Sequence, residues 1–225
     1  MKQPDTFFKG LEVYVKLQVA LDVPTIDEAL KVLEETKDYV DIAEIGTVMV
    51  YCGFSAITVI KNTYPQLEIL ADLKIYDGAA EMAEAAIKAG ADYVTILGAT
   101  NDVTIREAIR VTRDMGKKSV VDMIAVRNIA ERIKEVDGMG ADFINVHIAC
   151  DAQTEKNTPF EQLSIARIVA KHSGICVAGG VRADTIINAM PYHPDIITSG
   201  AGIYAQKDRR AAAKKMKEII LANGK

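Results

Sequence analysis

The sequence predicts a (β/α)8 barrel in a single domain, and three observations predict it. Eight short apolar runs recur along the chain, at 16–21, 40–45, 67–71, 93–97, 119–121, 143–146, 175–178 and 196–198. Their starts lie roughly 20–35 residues apart, the size of a βα unit. Between them, apolar residues recur at spacings of three and four, as in Ile26-Ala29-Leu30-Leu33 and Ile129-Ile133-Val136, which marks amphipathic helices. The runs themselves are apolar almost without interruption, the pattern of strands buried on both faces of a parallel sheet. A doubly wound open sheet is the alternative, but eight evenly spaced units close more readily than they stay open. Gly90-Ala91-Asp92 and Gly140-Ala141-Asp142 each precede a strand, and a glycine after a helix is an ordinary αβ connection.

Composition narrows the class. The 225 residues are 49% hydrophobic and 26% charged, and 27 basic against 31 acidic residues give a net charge of −4. That excludes intrinsic disorder and gives no reason to expect a nucleic-acid surface. Cys52, Cys150 and Cys176 are too few and too scattered for a disulfide framework or a zinc site. No apolar run approaches the ~18 residues of a membrane span, and residues 1–16 carry charges throughout rather than a signal-peptide core. The expectation is a cytoplasmic enzyme without membrane or nucleic-acid partners. Residues 1–15 read as an extension of unknown role, and 16–225 as the barrel. No linker or second domain interrupts the pattern.

In a barrel, chemistry gathers where the strands end. Here the ends carry Asp22, then Glu44 with Gly46-Thr47, then Asp72-Leu73-Lys74-Ile75-Tyr76-Asp77, then Thr95, Asp122 and His147. Any one of them has a bland reading: an Asp after a strand commonly caps a helix, and Asp22 can simply shape the turn at Val23-Pro24-Thr25. Together they would repel unless a cation or substrate joined them. Glu44 and Asp72 lie on adjacent strands at a depth that suits one Mg²⁺ ion, with Mn²⁺ as the substitute, since such a cation keeps substrate and water among its ligands. Lys74 is two residues past Asp72, so an extended chain turns both to the same face. Asp77 can pair with a lysine where the chain turns. Imidazole titrates nearest neutrality, which makes His147 the candidate acid/base. His172 and His193 read as surface residues. The last two strands end in Gly179-Gly180 and Gly200-Ala201-Gly202, where barrels bind phosphate through backbone N–H groups.

These residues resemble a known family. Ala71-Asp72-Leu73-Lys74-Ile75-Tyr76-Asp77 resembles the Asp-x-Lys-x-x-Asp motif of the orotidine monophosphate decarboxylase suprafamily. Leu17-Gln18-Val19-Ala20-Leu21-Asp22 and Glu44-Ile45-Gly46-Thr47 are similar to its branch of 3-hexulose-6-phosphate synthases and 3-keto-L-gulonate-6-phosphate decarboxylases. The orotidine enzymes have lysine in place of Glu44 and use no metal. Within the branch the synthases are nearer. The gulonate decarboxylases carry Glu where Asp122 stands, Arg where Cys150 stands, and Arg in the final phosphate loop near Gly202.

The resemblance spans Lys16 to about Ile220, and it implies a barrel with metal ligands Glu44 and Asp72. It implies that Asp22, Lys74 and His147 contact the sugar hydroxyls and reacting carbons, with Asp122 and Thr47 beside them. Phosphate would rest on Gly179, Gly180, Gly200 and Ala201, and Asp77 would reach into the partner's site of a homodimer. The implied reaction is Mg²⁺-dependent addition of formaldehyde to D-ribulose 5-phosphate, giving D-arabino-hex-3-ulose 6-phosphate through a metal-bound cis-enediolate. The alternative is the decarboxylase, which makes the same kind of enediolate by losing CO₂. A ribulose-phosphate epimerase would need several histidine ligands at strand ends, where this chain offers His147. A barrel that only binds sugar phosphate would not need the acid, base and lysine together.

Overall fold

A computed structural model describes residues 14–154 and 157–224. Eight parallel strands close into a barrel in sequence order: β1 Lys16–Ala20, β2 Ile42–Ile45, β3 Glu68–Ile75, β4 Tyr93–Leu97, β5 Lys118–Asp122, β6 Phe143–His147, β7 Gly174–Ala178 and β8 Ile196–Ser199. The ring closes where β1 pairs with β8, from Lys16 beside Ile196 to Val19 beside Ser199. The open-sheet alternative therefore falls. Around the strands run helices α1 Ile26–Thr36, α2 Thr47–Cys52, α3 Ser55–Thr63, α4 Ala79–Ala89, α5 Asp102–Asp114, α6 Ile129–Met139, α7 Phe160–Val169 and α8 Arg209–Asn223.

Alternation along each strand divides the core in two. Leu17, Val19, Ile69, Val94, Val121, Ile144 and their neighbours face outward and meet the apolar stripes of the helices. Ile42, Leu70, Tyr93, Val120, Cys176 and Ile196 face inward and plug the barrel, with Phe143 packed against them. Below this plug, Lys16 Nζ donates to Glu68 Oε2 at 2.6 Å and to the Tyr93 hydroxyl at 3.0 Å. Burial pushes the Tyr93 hydroxyl up to about 12, so it stays a donor to Glu68.

Three departures from the sequence pattern shape the molecule. The β2–β3 connection holds two helices, parted at Gly53 with φ +64°. The β7–β8 connection holds no α-helix, only two 3₁₀ turns at Ile186–Asn188 and Met190–Tyr192; Pro191 has no N–H to continue a helix. Strand β3 runs on to Ile75, past the expected end at Ala71. Its register against β4 shifts on the way: Ala71 lies beside Val94, but Ile75 lies beside Ile96, so β3 carries an irregular bulge there.

The N-terminal rim is stitched by four aspartates, Asp41, Asp92, Asp142 and Asp195, one before each even-numbered strand. Each carboxylate accepts the N–H of the preceding odd-numbered strand: Leu17, Ile69, Ser119 and Ile175, at 2.7–3.0 Å. Each aspartate's carbonyl accepts the first N–H of the next odd-numbered strand: Glu68, Lys118, Gly174 and Lys16, at 2.9–3.1 Å. The last of these bonds closes the circle. Two of the four are the Asp of the Gly-Ala-Asp segments, whose glycines alone carry the expected αβ connection.

Asp92 is held by two lysines besides the Ile69 N–H, since Lys61 and Lys117 donate to it at 2.8 and 2.7 Å. Burial alone would raise its carboxyl, but the two lysines and the Ile69 N–H outweigh that and hold it below the usual range. Asp92→Asn should destabilise the fold by about 1–3 kcal/mol at neutral pH, the worth of a hydrogen bond to a charged group. Because the folded-state value is depressed, that contribution is present above the unfolded-state value. It fades as pH falls through the folded one. Urea unfolding of both proteins at neutral and acid pH should show the gap closing on acidification. An unchanged midpoint at neutral pH would show that the aspartate stitch does not stabilise the barrel.

Candidate active site

The C-terminal ends of the strands surround a cavity of about 520 Å³. A wider groove of about 1000 Å³ lies between the loops after β4 and β5; its Asp102 and Glu135 are paired with Arg132, and its lining among the described residues holds no histidine or lysine. Above the apolar plug, the inward positions of the strands turn polar, with Gln18, Glu44, Thr95, Asn145 and Thr198 lining or flooring the mouth.

Glu44 comes from β2 and Asp72 from the β3 bulge. The Gln18 amide donates to Glu44 Oε2 at 2.6 Å. Asp72 Oδ1 accepts the Thr95 hydroxyl at 2.8 Å, and Asp72 Oδ2 pairs with the Lys74 ammonium. Burial first, and the neighbouring Asp72 second, push the Glu44 carboxyl well above the usual range; Lys74 and Gln18 pull it only part of the way back. Burial alone would lower the Lys74 ammonium, but Asp72 and Asp122 more than offset that and leave it raised. Lys74 is thus held cationic yet does not neutralise the site. Glu44 and Asp72 are an oxygen-donor pair under mutual repulsion, which suits a hard divalent cation. Among the described residues no three His, Cys, Asp or Glu form a closed ligand set, so such a cation would take its remaining ligands from substrate or water.

Asp22 is exposed at the rim, where the Thr47 hydroxyl donates to its Oδ1 at 2.8 Å. It does not cap α1, because Thr25 does, accepting the Glu28 N–H at 3.2 Å. A Cβ placed on Gly46 would sit 3.5 Å from Asp72 Oδ2 and 3.6 Å from Asp22 Oδ1, so these carboxylates flank one glycine.

Across the mouth, Asp122 ends β5 and His147 ends β6. His147 Nδ1 lies 2.8 Å from Asp122 Oδ2. Asp122 is 1% exposed, and its other oxygen accepts the Ile124 N–H at 2.8 Å. A carboxylate only accepts, so the shared proton sits on Nδ1 and the lone pair is left on Nε2.

Gly179, Gly180, Gly200 and Ala201 share the β7–β8 side of the mouth. Gly179 has φ +101°, and a Cβ there would fall 2.4 Å from the Ile148 carbonyl oxygen, so only glycine fits. The sequence reading passed over Arg182, three residues on. It also lines the mouth, and its side chain lies across Gly202.

Asp77 is the one candidate that does not converge on the mouth. It is exposed and follows Tyr76, which is 62% exposed. It does not cap α4 either; Gly78 holds that position, with φ +62° and no side-chain cap. His172 and His193 are exposed, as expected.

With this geometry in place, the comparisons are specific. The model of the orotidine 5'-phosphate decarboxylase / HUMPS family matches residues 15–216. A Bacillus subtilis protein described as 3-hexulose-6-phosphate synthase is 40% identical over 208 residues, which cover 92% of this chain and 99% of that protein. A solved 3-hexulose-6-phosphate synthase from Salmonella typhimurium superposes with a TM-score of 0.91 at 37% identity, covering 93% of this chain and all of that one. A Streptococcus mutans structure titled KGPDC shares the fold at 21% identity, with a TM-score of 0.82, over 93% of this chain and 99% of that one. The chain is an enzyme, a lyase, and it belongs to the orotidine 5'-phosphate decarboxylase / HUMPS family.

Proposed function

We propose that this enzyme adds formaldehyde to D-ribulose 5-phosphate, forming D-arabino-hex-3-ulose 6-phosphate. The observation that carries the reading is the opposition of two groups across one mouth: the Glu44–Asp72–Lys74 cluster on β2 and β3, and the His147–Asp122 pair on β5 and β6. The likeness to 3-hexulose-6-phosphate synthases supports the substrates.

Glu44 and Asp72 would hold Mg²⁺ or Mn²⁺, which when bound supplies Lewis-acid charge to neighbouring sugar oxygens. His147 Nε2 takes the C1 proton of the sugar, and Asp122 steadies the resulting imidazolium through Nδ1–H. The electron pair left on C1 is delocalised as a cis-enediolate, and the Lys74 ammonium offsets its charge. The enediolate carbon then bonds to the formaldehyde carbon, and the imidazolium returns its proton to the formaldehyde oxygen. Protons and electrons balance within the two substrates.

The deciding assay mixes purified protein with ribulose 5-phosphate, formaldehyde and Mg²⁺, beside a parallel assay for keto-gulonate 6-phosphate decarboxylation. Hexulose phosphate formation is expected, and decarboxylation alone would reverse the assignment. Activity should disappear on exhaustive chelation and return with Mg²⁺ or Mn²⁺. Glu44→Gln and Asp72→Asn should each lower kcat on the order of a hundredfold or more. Full activity in EDTA would sink the cation reading.

The phosphate would lie on the glycine loops after β7 and β8. The mouth is lined by Asp22, Glu44, Asp72, Asp122 and Asp151, and the cations among its described residues are Lys74 and Arg182. Lys74 pairs with Asp72 across the mouth, whereas Arg182 stands beside the loops, mostly exposed and paired with Asp184 at 3.4 Å, a contact that a phosphate can replace. Arg182→Ala should therefore raise KM for the sugar phosphate about tenfold with kcat little changed, the loss of one charge-assisted bond. An unchanged KM would move the phosphate elsewhere.

Asp77 would act in the neighbouring subunit of a homodimer. In the three connections after β2, β3 and β4, Val50 and Tyr51 on α2, Tyr76 beside Asp77 and Val103 at the start of α5 are 84%, 68%, 62% and 78% exposed, apolar surface that supports burial against a second copy. Asp77→Asn and Lys74→Ala should each be nearly inactive. Refolded together, they should recover up to about half of wild-type activity per heterodimer, because one of the two shared sites carries both native residues. No recovery from confirmed heterodimers would mean that both residues serve one chain.

A further inference from the structure

Lys74 carries a backbone strain that the proposed chemistry does not by itself explain. Its φ is +43°, a left-handed conformation that a residue with a long side chain rarely adopts. It sits in the β3 bulge, between Ala71 paired with Val94 and Ile75 paired with Ile96. Such strain persists only where the surroundings impose it.

One hydroxyl on the neighbouring strand engages this strained segment twice. The Lys74 N–H donates to Thr95 Oγ1 at 2.8 Å, and the same hydroxyl donates to Asp72 Oδ1 at 2.8 Å. Thr95 is 3% exposed, so both bonds are shielded from water. The hydroxyl thus fixes the backbone of the lysine and the carboxylate of the aspartate at once. The other Asp72 oxygen is left to the Lys74 ammonium. Further along, the Thr100 hydroxyl donates to the Tyr76 carbonyl, so β4 and its loop hold the motif segment at two points.

We infer that Thr95 is a positioning residue for the reaction: it locks the β3 bulge so that the Lys74 ammonium and the Asp72 carboxylate face the mouth together. In a regular strand the two would share a face by alternation, without any bulge. The bulge changes that spacing, and the hydroxyl determines where both groups end up. This rests on the function proposed above, but its geometry does not, which lets the two be tested apart.

Thr95→Val keeps the shape and removes the hydroxyl; Thr95→Ser keeps the hydroxyl and removes the methyl. A crystal structure of Thr95→Val should show Lys74 relaxed to negative φ and its pair with Asp72 broken or displaced. Lys74 keeping its positive φ and its ion pair there would overturn the inference whatever the enzyme's substrate. In the synthase assay, Thr95→Val should lose kcat on the order of a hundredfold, as for an ångström-scale misplacement, while KM for the sugar phosphate holds. Thr95→Ser should restore kcat, which a purely packing role for the methyl would not allow. Mn²⁺ affinity read by EPR should fall in Thr95→Val and return in Thr95→Ser. If Thr95→Val is too unstable to purify, Thr95→Ala is measured against Thr95→Ser in the same three ways, and equal kcat in that pair would overturn the inference. Wild-type protein inactive toward ribulose 5-phosphate and formaldehyde would sink the proposed function and leave the crystallographic test standing.

Discussion

The ring of four aspartates at the N-terminal rim is the constraint on which the rest depends. A parallel strand pair can slip along its register, and a slip of one residue turns every side chain to the other face. Each aspartate ties one odd-numbered strand through its carboxylate and the next through its carbonyl, so no strand can slide without breaking a bond at its foot. The register fixed there is the register at the mouth. With Gln18 beside Ile42 and Glu44 beside Leu70, Glu44 faces inward; with Asp122 beside Asn145, the His147–Asp122 pair forms. The chemistry at one end of the barrel is set by hydrogen bonds at the other.

Once oriented inward, the mouth carries a charge problem that the fold alone does not solve. Five carboxylates line it, and the buried Gln18 and Asn145 amide oxygens have no hydrogen-bond partner among the described residues. A buried acceptor without a donor costs about 1–3 kcal/mol, and facing carboxylates raise one another's proton affinity. That cost is borne in a molecule whose stitched rim and apolar double core hold the backbone rigid. Such an arrangement suits cations and hydroxyl donors, and the sugar phosphate proposed above would bring the donors.

The barrel and most of the mouth were legible in the sequence because both follow from local periodicity: strands ending in Asp122 and His147 can be read where the apolar run stops. Burial on both faces gave the parallel sheet, and the closed β1–β8 pairing followed from the number of units. What was not legible depended on pairs distant in sequence. Asp92 and Asp142 stood in plain view in two Gly-Ala-Asp segments, yet their partners Ile69 and Ser119 lie a whole βα unit earlier. The signal that would have found them is an aspartate before every even-numbered strand, at a spacing of roughly fifty residues, two βα units. Thr95 was visible as a strand end but not as a clamp, because nothing local marks the β3 bulge. Extended alternation put Lys74 and Asp72 on one side; the structure brings them together through a strained backbone and a neighbour's hydroxyl instead. Arg182 was missed because the glycines before it drew the phosphate argument to backbone N–H groups alone.

The mouth is also electrically lopsided, and that asymmetry bears on how one substrate orientation is selected. The acids gather on the arc from β1 to β6, with Asp22 reaching Gly200 at its edge, whereas the β7 loop offers glycine backbone and Arg182. A sugar phosphate is itself lopsided, with a dianion at one end and neutral hydroxyls and a carbonyl at the other. Reversed, it would set the dianion against Glu44 and Asp72, where like charges at low dielectric cost several kcal/mol. In the orientation proposed above, binding energy from the phosphate end would help to hold the reacting end in place. With the phosphate on the glycine loops as proposed, the closed barrel would fix the span from there to the Glu44–Asp72 pair, so that chain length would be measured along with charge. A shorter sugar phosphate would satisfy one end of the mouth and leave the other empty, and the stitched rim gives the strands no freedom to close the gap.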